Sequence, residues 1–139
     1  MKEIKNTEWD KIVHVQSSLE PKKNQYAMFI GRWQPLHLGH QALFQEALNQ
    51  GKNLLICIRE GEVNEKNPFT PEEVKRNIED VYALLVSSGI MKVMIIPDIE
   101  SVNFGRGVGY DIIEHIPPTE IAEVSATKVR EQLRKEGKL

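Results

Sequence analysis

His37 and His40 stand three residues apart, in His37-Leu38-Gly39-His40. Imidazoles so spaced can donate hydrogen bonds to a phosphate or ligate a transition metal. A third metal ligand is hard to nominate, so phosphate ranks above metal and no metal site is assigned. A structural role would suit either histidine alone, but suits the pair poorly. Far downstream lie Ser125, Thr127 and Arg130, two hydroxyls followed by a guanidinium. Hydroxyls and free N–H groups at a helix start can hold phosphate oxygens, and an arginine one turn in can fork onto them. No paired carboxylates stand out as general acid and base, and no Ser-His-Asp or Cys-His arrangement is evident. The inventory suits phosphoryl-centre chemistry, where positioning and charge stabilisation carry the reaction.

These groups need elements to hold them. Residues 26–30 form a short apolar run without alternation, as in a strand buried on both faces of a parallel sheet. Gly31 ends the run and Pro35 shapes a tight loop. Residues 38–50 then read as a helix, with Leu43 facing Ala47 and Phe44 facing Leu48, closed by Gly51. A strand–loop–helix of this kind places anion-binding N–H groups at the helix start, and Gly39 allows close approach to the backbone. Ser125 reads as the N-cap of a second such helix, with Val129 and Leu133 on its buried face.

The rest of the chain extends the pattern. Residues 53–58 predict a second buried strand, with Arg59 at its carboxyl end, where open parallel sheets gather ligands. Arg59 could reach a phosphate there or be an ordinary solvated arginine. Residues 71–87 predict one long helix. Thr70 is its N-cap, Pro71 its first residue and Glu73 the partner of a capping box. Val74, Ile78, Val81 and Leu85 mark its apolar face. Residues 92–96 predict a third strand ended by Pro97. Residues 98–109, glycine-rich and including Arg106, read either as a loop that closes on a substrate or as a plain connection. Residues 111–115 predict a fourth strand, with His115 on its polar face. Alternation of strands and helices points to an α/β fold, a parallel sheet with helices on both faces.

Residues 1–25 stand apart as an N-terminal extension or arm, with residues 26–139 as the domain. The arm carries Trp9, Ile12, Val13 and Val15. Apolar content of this kind predicts packing on the domain or across a subunit interface, and hence a homo-oligomer.

The ten residues Gly31-Arg32-Trp33-Gln34-Pro35-Leu36-His37-Leu38-Gly39-His40 resemble the HxGH signature of the nucleotidyltransferase superfamily. The GRxQP flank is most similar to archaeal-type nicotinamide-mononucleotide adenylyltransferases. Asn67-Pro68-Phe69-Thr70 resembles a segment that follows the second strand in those enzymes, although Val74 stands where they usually carry an arginine. Ser125-x-Thr127-x-x-Arg130 resembles the superfamily's second signature. The resemblance implies a Rossmann-like nucleotidyltransferase fold. It also implies a reaction in which an acceptor phosphate attacks the α-phosphorus of a nucleoside triphosphate and pyrophosphate leaves. His37, His40 and Arg130 would be catalytic. Gly31, Arg32, Trp33, Gly39, Ser125, Thr127 and Lys128 would serve the nucleotide, Trp33 by packing under the loop. Arg59, Asn67, Phe69 and Arg106 are candidates for acceptor contacts. Mg²⁺ would be held mainly by the triphosphate. ATP is the expected donor and nicotinamide mononucleotide the first acceptor. The alternatives are CTP with an alcohol or sugar phosphate, and a non-catalytic nucleotide-binding module.

Composition agrees with a globular domain. The 139 residues are 40% hydrophobic and 27% charged, with formal net charge -2. That charge gives no global pull toward nucleic acid or an anionic membrane. Cys57, the single cysteine, lies in an apolar run and reads as a buried small hydrophobe. The charged N-terminus does not look like a signal peptide, so a cytoplasmic location is expected.

Overall fold

The structure, a computed structural model, describes residues 25–105, 109–114 and 126–138. The N-terminal arm, Arg106, His115 and Ser125 therefore lie outside the described residues, and of Thr127 only the helical backbone is described. The element order is β1 (Tyr26–Gly31), α1 (Leu38–Asn49), β2 (Asn53–Arg59), α2 (Pro71–Val81), α3 (Ala83–Ser87), β3 (Met91–Ile96) and α4 (Ala126–Lys135).

The three strands form a parallel sheet in the order β1-β2-β3. Its register aligns Ile30 with Cys57 and Cys57 with Met94. The central strand reads as the sequence suggests. Leu54, Ile56 and Ile58 are fully buried on one face and Cys57 is buried on the other. The first set joins Phe44, Leu48, Val74, Ile78, Val81 and Leu85 in one core, with Phe29, Val93 and Ile95 packed against it. All four residues expected on the apolar face of the 71–87 segment are buried there.

The caps explain where the helices begin and end. Thr70 Oγ1 accepts from the Glu73 N–H at 3.2 Å, and Glu73 Oε1 accepts from the Thr70 N–H at 3.1 Å. This is the expected capping box, with Pro71 inside it. At the far end of α1, Gly51 adopts φ 74, which a side chain would resist. Its N–H bonds Leu48 O at 2.9 Å and that of Lys52 bonds Ala47 O at 3.1 Å, a Schellman closure.

Two expectations change. The 71–87 helix is divided at Tyr82, whose backbone (φ -111, ψ 35) leaves helical values. Its N–H still bonds Ile78 O and its carbonyl still accepts from Val86, each at 3.0 Å, so the ladder survives an offset. Packing drives that offset: the Tyr82 ring is buried edge-on to Phe44, with centroids 5.9 Å apart. The expected fourth strand is the second change. Residues 111–114 are not a strand, and Ile112 is 74% exposed. An apolar stretch becomes a strand only where a neighbouring backbone accepts its hydrogen bonds, and sequence cannot supply that neighbour.

The helices alternate with the strands of the parallel sheet as expected, and α1, α2 and α3 bring Phe44, Leu48, Val74, Ile78, Val81 and Leu85 to the face of Leu54, Ile56 and Ile58. The opposite face carries Met28, 59% exposed, and Met94, 44% exposed. No helix of the described residues is long and apolar enough to cross a membrane.

Candidate active site

The loop between β1 and α1 is built from the inside. Trp33 is buried and sits at φ 50, a conformation costly for a large side chain. It is held there by its own ring. Nε1 donates to Cys57 O at 3.1 Å, and the indole packs edge-on to Phe44 and His40. A Cβ on Gly31 would come within 3.0 Å of that indole, so glycine here makes room for Trp33. The expectation that Trp33 packs under the loop is met by this burial.

His37 is the N-cap of α1 and His40 is its third helical residue. The two form a capping box made of imidazoles. His37 Nδ1 accepts from the N–H groups of Gly39 at 3.0 Å and His40 at 3.4 Å. His40 Nδ1 accepts from the His37 N–H at 3.3 Å. The rings stack, with centroids 3.7 Å apart and an 18° tilt. This alters one sequence-based reading. The Gly39 N–H is engaged by His37, so the donors offered at this helix start are imidazole nitrogens in place of the Gly39 backbone.

The same geometry fixes the protons. An Nδ1 that accepts carries no hydrogen, so in the neutral ring the proton sits on Nε2. Burial, reinforced by the Arg130 guanidinium, holds His37 at about 4, against an ordinary 6.5. Burial, then neighbouring His37, holds His40 well below the same value. At neutral pH both rings are therefore uncharged Nε2–H donors, whose engagement of Nδ1 sets their orientation.

Arg130 arrives from α4. It is buried, at 7% exposure, and its Nη1 donates to Gln34 O at 2.7 Å. Val129 and Leu133 are buried beside it in sequence, as expected for the inner face of α4, and Lys128 is exposed. Arg134 Nη2 donates to Glu65 O at 2.6 Å, tying α4 to the loop before α2. The arginine of the downstream motif thus meets the loop of the upstream one.

The acceptor candidates divide. Arg59 Nε and Nη2 donate to Asp98 Oδ1 at 3.0 and 2.7 Å, and Arg32 Nη2 lies 3.5 Å from Asp98 Oδ2. Arg59, foremost, holds the Asp98 carboxyl below its ordinary range, with Arg32 adding to it. A Cβ on Gly61 would collide with the Arg32 guanidinium, so a bare backbone lets Arg32 lie across that loop. Arg32, Asn64, Asn67 and Asp98 line an open cleft of about 710 Å³. The Asn67 N–H donates to Asn64 Oδ1 at 2.8 Å, a turn that shapes one wall. Phe69, expected as a candidate acceptor contact, is 4% exposed and joins the hydrophobic core. Its position directly before a capped helix end draws it inward.

Two residues were not singled out from sequence. Asp98 had a readable signal, a carboxylate just past the carboxyl end of β3. Gln34 stands in the GRxQP flank, but its partners are backbone atoms remote in sequence, so spacing gave no sign of what it binds. Among the described residues no group of three or more His, Cys, Asp or Glu is placed to hold a metal ion.

Comparison with known proteins bears on the same stretch. Residues 28–84 match the family described as Cytidylyltransferase-like. The chain is similar to a nicotinamide/nicotinic acid mononucleotide adenylyltransferase of Acinetobacter baylyi, 41% identical over 58 residues, which is 40% of this chain and 31% of that one. It is also similar to nicotinamide-nucleotide adenylyltransferase 1 of Sulfolobus acidocaldarius, 35% identical over 77 residues, 54% of this chain and 43% of that one. The matched stretches thus span less than half the length of either relative. No solved structure matches.

Proposed function

We propose that this protein is a nucleotidyltransferase that moves AMP from ATP to a phosphate-bearing acceptor, a reading supported by the match of residues 28–84 to the family described as Cytidylyltransferase-like. Nicotinamide mononucleotide is the first acceptor to test, since both relatives named above are adenylyltransferases of that class. The observation that carries the reading is the 2.7 Å bond from Arg130 to Gln34 O, across 96 residues of sequence. It joins the two motifs that a triphosphate would need together.

In this mechanism an acceptor phosphate oxygen attacks the α-phosphorus of Mg²⁺-ATP. A new P–O bond forms, the bond to the bridging oxygen breaks, and pyrophosphate carries away the electron pair. His40 Nε2–H is the donor assigned to the α-phosphate, with His37 beside it. As neutral donors they stabilise charge without taking part in proton transfer. Arg130, with Ser125, Thr127 and Lys128, holds the β- and γ-phosphates. The cleft lined by Arg32 and Asn67 receives the acceptor, so Arg32, expected from the sequence at the nucleotide, is assigned here to the acceptor's phosphate instead.

A pyrophosphate-release screen of ATP and CTP against phosphate-bearing acceptors tests this. Release with ATP and nicotinamide mononucleotide is expected. Release with CTP alone would reassign the donor, and triphosphate binding without release would mark a non-catalytic module. With the productive pair, His40→Ala should lower turnover by roughly a hundred- to a thousandfold. Triphosphate affinity should stay within a few-fold, because Arg130 still anchors the tail.

A further inference from the structure

Gln34 makes contacts in three directions. It is buried, at 7% exposure, in the middle of the β1–α1 loop. Its Oε1 accepts from the Phe69 N–H at 2.9 Å, and its Nε2 donates to Phe69 O at 2.9 Å. A side chain here makes the paired bonds that two strand residues exchange in a ladder. Its own carbonyl accepts from Arg130 Nη1 at 2.7 Å. Segments 35 and 96 residues away therefore meet on one residue.

Both neighbours of this clamp are anchored. Phe69 has its ring in the core, and Thr70 beside it caps α2. Trp33, just before Gln34, is fixed by its bond to Cys57 O. With Trp33 fixed on one side and the amide clamped to Phe69 on the other, the Gln34 carbonyl has little freedom to turn. That carbonyl is the acceptor that aims the Arg130 guanidinium. A side chain that only stapled the loop to the core would add stability without setting the direction of a distant arginine.

We propose that Gln34 is a positioning residue for Arg130: its amide, bonded to Phe69, orients the carbonyl that holds the guanidinium toward the substrate phosphates. This rests on the reading of Arg130 as the triphosphate anchor. It extends that reading to a residue that does not itself touch substrate.

A double-mutant cycle tests it, with the full chain and equilibrium binding of Mg²⁺-ATP as the readout. Gln34→Met keeps the length of the side chain and removes both amide bonds. It should weaken binding on the order of tenfold, as loss of a well-placed charged hydrogen bond would. Arg130→Ala should weaken it roughly ten- to a hundredfold. The double variant should bind no more weakly than Arg130→Ala alone, because Gln34 acts through that side chain. Losses that add in the double variant would overturn the proposal. So would a Gln34→Met protein that is destabilised but binds as the wild type does. If Gln34→Met does not fold, the cycle is run with Gln34→Glu, which keeps the acceptor for the Phe69 N–H and replaces the donor by a carboxylate oxygen, with the added charge controlled by repeating the cycle at several salt concentrations. Failure of the wild type to bind Mg²⁺-ATP would remove the anchoring reading and this proposal together. Wild-type binding with additive losses would remove the proposal alone.

Discussion

Residues 32–37 and the described residues of the 98–114 stretch, 98–105 and 109–114, are without helix or strand, and they could hardly be held more differently. In the first, Trp33, Gln34, Leu36 and His37 are all buried, and the bonds of Trp33, Gln34 and His37 reach β2, the start of α2, α4 or the α1 cap, while Arg32 reaches out to Asp98. In the second, Val102, Phe104, Tyr110 and Ile112 are between 59% and 74% exposed. The side-chain hydrogen bonds described for this segment are those of Asp98 to Arg59, at its start, and of Asn103 to Ser101. Apolar residues are plentiful in both. The difference is that the first loop pairs its polar groups as it buries its rings. Buried rings gain from leaving water only if the backbone they carry inward finds partners.

The largest expected contrast is in packing. Trp33→Ala removes a buried indole and its bond to Cys57 O, and leaves alanine at the same strained φ 50. A loss of about 3–5 kcal/mol is expected, read from chemical denaturation. A loss below about 1 kcal/mol would mean that the loop is held without its ring.

The next contrast is in pH. His37 takes up its proton at about 4 in the folded chain, against an ordinary 6.5. Between those values the unfolded chain binds a proton that the folded chain excludes. The stability this histidine contributes is therefore complete above pH 6.5, and is lost as pH falls through that window to about 4. The loss reaches up to roughly 3 kcal/mol. Denaturation midpoints at several pH values would show the slope. His37→Asn, which retains a capping side chain, should flatten it, and an unchanged slope would assign the effect elsewhere.

The smallest effect is expected in the exposed segment. Tyr110→Ser should change stability by no more than about 0.5 kcal/mol, since a side chain already in water has little to lose. A larger loss in the same denaturation experiment would show that Tyr110 has a partner in solution and would narrow the contrast between the two connections.

Much of this was written in the sequence because it is local. The strand runs of 26–30, 53–58 and 92–96 appear within one residue of expectation at each end, β1 and β2 taking in Gly31 and Arg59 and β3 starting at Met91. The Thr70–Glu73 box, the Gly51 closure and the buried stripe Val74, Ile78, Val81 and Leu85 all follow from spacing along one element. The pairing of His37 and His40 belongs here too, since residues three apart at a helix start must meet. Other features needed the tertiary structure. That Phe69 turns into the core, that Tyr82 interrupts a helix to reach Phe44, and that Asp98 draws Arg59 and Arg32 together depend on distant elements. So do the direction of Arg130 and the suppressed charge of His37, which burial of the loop causes first and the Arg130 guanidinium from α4 reinforces. Periodicity records which face of an element is apolar. It carries no record of which backbone carbonyl will lie opposite a given side chain, and at this site that is what sets the donors in place.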